Sequence, residues 1–452
     1  MSSRFIPVDR ETRYILPPSL DDWLPENHLA RFVLDVVSQL DLRPIVESYS
    51  GRGSRAHHPA ILLSLLFYGY ATGTYFSRKI EQATYDSVAF RFISGNTHPD
   101  HDTIATFRKR FLGQLQGLFL QILLLAREAG ILKLGTVSLD GTKIRANASK
   151  HHALSWGHAC KIVKQLKEEI KKLMELAEKA DNTEYEDGMS IPKELERREN
   201  RLAAIADAKI KIKERADERY KREKAEHDEK MAERKDKAKK AGKKPRGRTP
   251  KPPEPGPKAK DQINLTDEES RIMPTSGKSF IQAYNAQASV DTEKMLIDEN
   301  HLTQCTNDKL EVVPSISGLV SLPKRLGKVK KILADTGYFS ADNVKQCESH
   351  HIQPLIAPGR DKHNQPLLER FVKPGPLPQD ADPVSQMKYR LKTKDGRELY
   401  AKRKSTVEPV FGIIKHIMNF RQFLLRGLTD VSGEWTLVCI AWNIKRLFAL
   451  SR

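Results

Sequence analysis

The stretch from residue 157 to residue 260 sets the terms on which this chain can fold. From 157 to 243 roughly half of the residues are charged, both signs are mixed, and aromatics are scarce. Such a composition cannot close a core of its own. Within it, Val163, Leu166, Ile170, Leu173 and Ala177 recur three and four residues apart, as along a coiled-coil seam. The pattern breaks over Asp181 to Gly188 and resumes more thinly at Leu195, Leu202, Ile205 and Ile210. Two antiparallel charged helices are expected, followed by an extended basic linker from Pro245 to Pro257, where proline excludes helix and sheet. On both sides of this block the pattern is β, so the block is an insertion into a mixed fold.

Before the insertion, Val137, Leu139, Thr142 and Ile144 predict a strand with Asp140 inside it or at its edge. After it, Lys278 to Val290 reads as one long strand, Asp291 to Lys294 as a hairpin turn, and Met295 to Ile297 as the start of a second strand. Asn307-Asp308 caps a helix to about Leu319. The run Lys330 to Ala334 stops at Asp335, a Thr336-Gly337 turn follows, and a helical pattern begins at Ala341. That is a strand–turn–helix unit with a carboxylate at the strand's carboxyl end, where α/β sheets place chemistry. A further strand is expected over Ile352 to Ile356, then a loop from Gly359 to Pro383. A helical pattern restarts at Tyr400, with Val410, Phe411, Ile414, Ile417 and Met418 on one stripe. Glu408, Gly412, Lys415 and Asn419 share another face, Pro409 suits a first helical turn, and Gly412 leaves room for a phosphate backbone. Gly433 to Leu450 reads as a final amphipathic helix.

Residues up to about 130 read as helical. Leu29, Phe32, Val33 and Val36 repeat at helical spacing, and Pro59 opens an apolar helix. Asp102 or Thr103 is expected to cap a helix that carries Arg108, Lys109 and Arg110. That helix either enters a DNA groove in the helix-turn-helix manner or shows a solvated basic face on a packed helix, and the residues alone leave both open.

With 77 Lys+Arg against 58 Asp+Glu and a formal charge of +19, a polyanion is the default partner, and nucleic acid fits better than a membrane surface. The bland alternative is a basic solvated segment. The apolar run Ala60 to Phe76 is interrupted by Ser64, Gly69, Thr72 and Gly73, and is shorter than the roughly 20 residues of a spanning helix. No basic region followed by an apolar one opens the chain, so no secretory signal and no membrane partner are expected. The cysteines, Cys160, Cys305, Cys347 and Cys439, form no paired motif, which fits a reducing cytoplasm. Cys347 near His350 and His351 lacks the second ligand pair of a zinc site.

Two strand-borne aspartates and a helix-borne glutamate can converge over a mixed sheet. Like charges so placed raise each other's pKa, and divalent ions remove that cost. All-oxygen ligation suits two Mg²⁺, or Mn²⁺ in their place, roughly 4 Å apart, which activate an attacking oxygen and stabilise the leaving one of a phosphodiester.

At this point the chain resembles a known family, the DDE transposases of bacterial insertion sequences. The matching stretches are Leu139-Asp140-Gly141-Thr142, Ala334-Asp335-Thr336-Gly337-Tyr338 and the block from Tyr400 to Lys415. The stretches around His28-Leu29, Asp100 to Phe111, and Asn443 to Leu447 are also similar to that family. The likeness is to the subgroup with a long charged insertion between the first and second acids. It implies an α/β, RNase H-like mixed-sheet core, an all-helical N-terminal domain and an inserted helical arm. It also implies Asp140, Asp335 and Glu408 as catalytic metal ligands, and Tyr400, Arg403 or Lys404, and Lys415 as DNA contacts. The Glu408-to-Lys415 spacing matches the family's late signature, while Arg403 stands one residue too far from Glu408 and Lys404 restores the spacing. The expected organisation is 1–132 helical and DNA-binding, 133–156 the first part of the core, 157–260 the insertion, and 261–452 the rest of the core. The implied activity is Mg²⁺-dependent cleavage at the element's ends and joining to target DNA, in a homodimeric complex at the nucleoid. An inactive DNA-binding descendant and a nuclease that does not join strands are the alternatives.

Overall fold

The computed structural model describes residues 19–49, 56–179, 191–241, 249–275, 277, 279–359, 375 and 381–452. The expected turn over Asp181 to Gly188, the first residues of the proline linker and most of the loop from Gly359 to Pro383 lie outside them. The chain divides into two compact units, one formed by Met1–Ile144 with Tyr284–Arg452, the other by Arg145–Ala283.

Among the described residues, the first unit opens with the α-helices α1 (Leu29–Ser38), α2 (Arg43–Val46), α3 (Pro59–Thr72), α4 (Ser77–Asp86), α5 (Val88–Ser94), α6 (His101–Arg110) and α7 (Leu115–Glu128). His28 and His58 cap α1 and α3 through their Nδ1 atoms, and α3 stops at Gly73, whose φ of 84° suits a residue without Cβ. Asp100, not Asp102 or Thr103, caps α6, accepting from the Thr103 backbone N–H at 2.7 Å. A carboxylate just ahead of the first turn reaches that orphan N–H, whereas one inside the turn points outward. Strand β1 (Leu134–Arg145) follows.

The second unit holds β2 (Ala153–Ser155), α8 (Trp156–Lys179), α9 (Ile191–Ala241), β3 (Gln262–Asn264) and β4 (Arg271–Pro274). The helices run antiparallel, since Glu169 pairs with Arg198 at 2.9 Å while Lys209 lies over the Trp156 ring. Leu166 and Leu173 bury on α8, and Ile205 and Ile212 on α9, so the seam follows the expected stripe at Ile205 but passes through Ile212, while Ile210 is exposed. The antiparallel pair β2–β3 closes its base through Leu154 and Ile263. Farther along α9, Lys211 meets Glu268 at 2.6 Å and Arg219 meets Asp261 at 2.8 Å.

Returning to the first unit, β5 (Phe280–Asp291), β6 (Ile297–Thr303), α10 (Val312–Ser321), β7 (Gly327–Ala334), α11 (Ala341–Ser349) and β8 (Gln353–Ile356) complete the α/β part. The first residues of β5, Phe280–Ala283, pair with β4 inside the second unit. The mixed sheet places β6 and β5 antiparallel, β1 beside β5, and β7 and β8 parallel to β1 in turn. The Asp291 carboxylate accepts from the backbone N–H groups of Glu293 and Lys294, which makes the expected hairpin turn. Val137 and Leu139 share one face of β1 and pack with Ile332, Ile316 and Tyr338, so the alternate residues Ser138, Asp140 and Thr142 face the other side.

The chain ends in α12 (Pro383–Lys392), α13 (Lys394–Lys402), α14 (Val407–His416) and α15 (Leu428–Leu450). The last helix departs from the amphipathic expectation. It packs against α3, α7 and β6, and Trp435, Val438, Cys439 and Asn443 are all buried. A helix covered from several sides has no polar face to show. Asn443 both accepts from the Ile297 backbone N–H and donates to its carbonyl, extending the edge of β6 as another strand would. Each of its fully buried large apolar side chains contributes about 1.5–3 kcal/mol.

Candidate active site

Parallel register places the two aspartates. Ser138 of β1 lies opposite Leu333 of β7, and two residues farther along each chain come Asp140 and Asp335. Asp140, within β1, and Asp335, just past the end of β7, thus lie on neighbouring strands, close enough for the Asp335 charge to act on Asp140. Asp140 Oδ1 accepts from the Gly141 N–H at 2.8 Å. Asp335 ends its strand by capping the 3-10 turn Thr336–Tyr338, accepting from the Gly337 N–H at 2.7 Å. Glu408 lies in the first turn of α14, ahead of Pro409, and its side chain is about half exposed.

Arg403, in the turn between α13 and α14, connects the third acid to the first. Its Nη2 donates to Glu408 Oε1 at 2.9 Å, and its Nη1 stands 3.5 Å from Asp140 Oδ2. The side chain is 11% exposed. From the opposite side, Lys415 Nζ donates to Thr142 Oγ1 and, at 3.2 Å, to the Lys143 carbonyl. Burial pushes the Lys415 amine below its usual pKa, while the Asp140 charge acts the other way.

Asp140 itself is pushed up to about 7. Burial is the main cause, opposed by the Gly141 N–H; the Asp335 charge adds to the rise, Arg403 opposes it, and Asp308 adds to it. Asp308 is the acid that sequence reasoning read only as part of a helix cap. Its Oδ1 accepts from Asn285 Nδ2 at 2.7 Å and from Gln287 Nε2 at 2.9 Å, and Gln287 Oε1 accepts from the Tyr338 hydroxyl at 2.5 Å. Burial first, and then the charges of Asp140, Asp308 and Asp335, hold that hydroxyl well above its ordinary pKa. A legible signal existed: Asn285, Gln287 and Ser289 alternate along an otherwise apolar strand, so one face of β5 is polar although the strand is buried.

These amides explain the glycine after Asp140. A Cβ on Gly141 would lie 2.1 Å from Gln287 Nε2 and 2.9 Å from Asn285 Oδ1. Asn285 Oδ1 is also buried without a hydrogen-bond partner. Carboxylates with an amide oxygen beside them make a hard, all-oxygen donor set, which suits Mg²⁺ or Mn²⁺ rather than zinc. Among the described residues, no three His, Cys, Asp or Glu side chains stand close enough to hold one ion. Instead the Arg403 guanidinium lies between Asp140 and Glu408, a cation already held where these acids face each other. The three acids carry the oxygen chemistry that a hard dication takes, and the cation that joins two of them in this structure is the guanidinium.

The other expected DNA contacts are dispersed. Lys404 is exposed in the turn before α14, and Tyr400 is half-buried on α13. On α6, Lys109 is exposed, while Arg110 donates to the Ser48 carbonyl at 2.8 Å and covers the Tyr49 ring. Arg108 corrects the expectation. It is 7% exposed and donates to the Tyr70 hydroxyl at 3.2 Å and the Tyr75 carbonyl at 3.0 Å, so it faces the core and not a groove. Three consecutive basic residues on a helix span most of its circumference, so one of them turns inward.

Two family models match the chain. The transposase DDE domain matches residues 248–444, which include Asp335 and Glu408, and the transposase domain DUF772 matches residues 18–110. Asp140 lies outside both matched stretches. No match was found among curated proteins or among solved structures. The DDE domain accounts for the mixed sheet as an RNase H-like core, and among the described residues no helix is long and apolar enough to cross a membrane. With DUF772 ahead of the DDE domain, and together spanning well over half of its length, the chain belongs to the DDE transposases of the insertion-sequence type.

Proposed function

We propose that this transposase binds the ends of an insertion sequence, cleaves the DNA there and joins the freed 3′-hydroxyl ends to target DNA. The observation that carries the reading is Asp140 on β1 beside Asp335 at the end of the neighbouring parallel strand β7, with Glu408 joined to Asp140 through Arg403. Asp140, Asp335 and Glu408 would hold two divalent ions, Mg²⁺ or Mn²⁺. When bound, such ions supply a Lewis acid that activates the attacking oxygen and stabilises the leaving one. Gly141 keeps the Asp140 backbone close to β5, where Gln287 and Asn285 fix the neighbouring carboxylate of Asp308. Lys415, bonded to β1 two residues from Asp140, offers positive charge beside the phosphodiester. In the first step water attacks the phosphorus and the 3′ oxygen leaves. In the second that 3′-hydroxyl attacks a target phosphodiester, whose own 3′ oxygen leaves.

Lys404, Tyr400, Lys109 and Arg110 are the remaining candidates for DNA contact, and a homodimer acting on the nucleoid in the cytoplasm is the proposed working form. The charged arm, 157–260, is proposed to touch DNA or the partner protomer, because most of its described charges are solvent-facing and α9 carries many basic residues. Deleting it should weaken end binding; unchanged binding would remove that role. The central test is Mg²⁺-dependent cleavage and joining of labelled DNA bearing the element's ends, beside Asp335→Asn. Joined product that vanishes in the variant supports the reading. Cleavage without joining points to a nuclease, and binding without either reaction to an inactive DNA-binding descendant.

A further inference from the structure

We propose that Arg403 is the resident counter-cation of this site, a positioning residue that holds Asp140 and Glu408 apart at fixed places until divalent ions displace it. The inference rests on the metal-dependent reading above. Its own evidence is the geometry. One guanidinium forks to two acids, at 2.9 Å from Glu408 and 3.5 Å from Asp140, from a side chain that is 11% exposed. The charges it bridges are otherwise poorly met: Asp140 lies near the charges of Asp335 and Asp308, and of the cations that oppose them, Arg403 and Lys415, it is Arg403 that comes to 3.5 Å of the carboxylate.

The same placement makes Arg403 and a metal ion mutually exclusive on these oxygens. A small dication draws its oxygen ligands to about 2.0–2.1 Å, in a shell that leaves no room for N–H donors pointing at the same lone pairs. Loading therefore requires the arginine to withdraw. It is not locked in its resting place, because its Nε is buried without a hydrogen-bond partner. Arg403 also sits in the short turn at the end of α13, not inside a helix, where a change of rotamer meets less resistance. Once displaced, its planar fork is suited to a phosphate of bound DNA. One side chain would then serve the carboxylates before loading and the substrate after it. Competition for a site is reciprocal, so removing the internal cation must strengthen binding of the external one.

The test is a Mn²⁺ titration of the full chain, following free Mn²⁺ by electron paramagnetic resonance, with wild type, Arg403→Gln, Arg403→Lys and Asp335→Asn. Arg403→Gln should bind Mn²⁺ about tenfold more tightly than wild type, the scale of one displaced ion pair at a partly exposed site. Arg403→Lys keeps the charge but cannot fork to both acids, so its affinity should fall between the two. It also serves should the glutamine variant fail to fold. Equal or weaker Mn²⁺ binding by the Arg403 variants, with Asp335→Asn still impaired, overturns the counter-cation role and leaves the metal reading standing. Wild type and Asp335→Asn binding alike overturns the metal reading itself, and the inference with it.

Discussion

Glu434 and Asp140 are carboxylates of the same compact unit, Glu434 fully buried and Asp140 partly so; burial raises the pKa of both, but the partners they are given differ. Glu434, on α15, accepts from the Tyr70 hydroxyl at 2.9 Å and from the backbone N–H groups of Leu424 and Leu425 at 2.9 and 3.1 Å, with the Arg108 charge close by. Both oxygens are met, Oε1 by Tyr70 of α3 and Oε2 by two N–H groups of the turn before α15, and Arg108 of α6 donates to the same Tyr70 hydroxyl, so this acid helps tie α3, α6 and α15 together. Asp140 has one N–H, one arginine shared with Glu408, and two like-charged neighbours. A satisfied buried charge specifies a fold, whereas an under-satisfied one stores the capacity to bind a cation.

This contrast can be broken by substitution, and the largest effect should fall on activity. Asp140→Asn should reduce strand joining on the order of 10³-fold, since one removed electrostatic contact to a reacting centre has that scale. Its melting temperature should not fall, because a repelled charge is lost; a large fall would place Asp140 with Glu434 as a structural acid. Glu434→Ala should do the reverse, costing about 3–5 kcal/mol in urea unfolding by leaving Arg108 and two backbone N–H groups without an anion. A cost under about 1 kcal/mol would mean that the network around it is slack.

Gly141→Ala sharpens the comparison from the packing side. Its methyl group would collide with Gln287 and should cost about 1–3 kcal/mol in the same unfolding measurement. It should also weaken joining by moving the amides that hold Asp308. A neutral alanine would show that β5 yields easily there.

A smaller effect concerns pH. The folded chain keeps the Asp140 proton up to about 7, against an ordinary value of 3.8 in an unfolded chain. Between those values the folded state binds more protons, so this group's contribution to stability falls as pH rises through the window and is level above it. Thermal melts from pH 4 to pH 8 should show that fall, and Asp140→Asn should flatten it. Identical pH profiles would mean that the Asp140 proton is not held by the fold. At the low end of the scale stands the arm, where Glu169→Gln should leave the melting temperature of the chain unchanged. Its pairing with Arg198 is solvated and salt-screened. A clear shift would mean that the arm's charges are organised more like those of the core.

The secondary-structure positions that sequence reasoning read well are those marked by local pattern. Asp140 and Asp335 stand at breaks in apolar alternation, and the strand and helix order around them follows from periods of two and 3.6. The paired helices of the arm were readable from the spacing of Leu166, Leu173 and Ile205. Arg108 was misplaced because three basic residues in a row look alike in one dimension, and only the Tyr70 and Tyr75 partners from elsewhere in the chain decide which one turns inward. Asp308 looked like a cap because capping is a local role, and its carboxylate was assigned by amides on β5. The final helix looked amphipathic because the helices that cover it are distant in sequence.

By itself, then, the sequence determined the mixed α/β class, the charged helical insertion, and the acids that interrupt apolar runs, since each depends on side-chain spacing over a few residues. Tertiary structure alone decided that Asp140 and Asp335 lie on neighbouring strands, that Arg403 lies between Asp140 and Glu408, and that Glu434 is met by hydrogen bonds on both oxygens while Asp140 is raised by burial and then by like charge. Those outcomes depend on strand register and on desolvation. Both are properties of what the folded chain brings near a residue, and no local spacing encodes them.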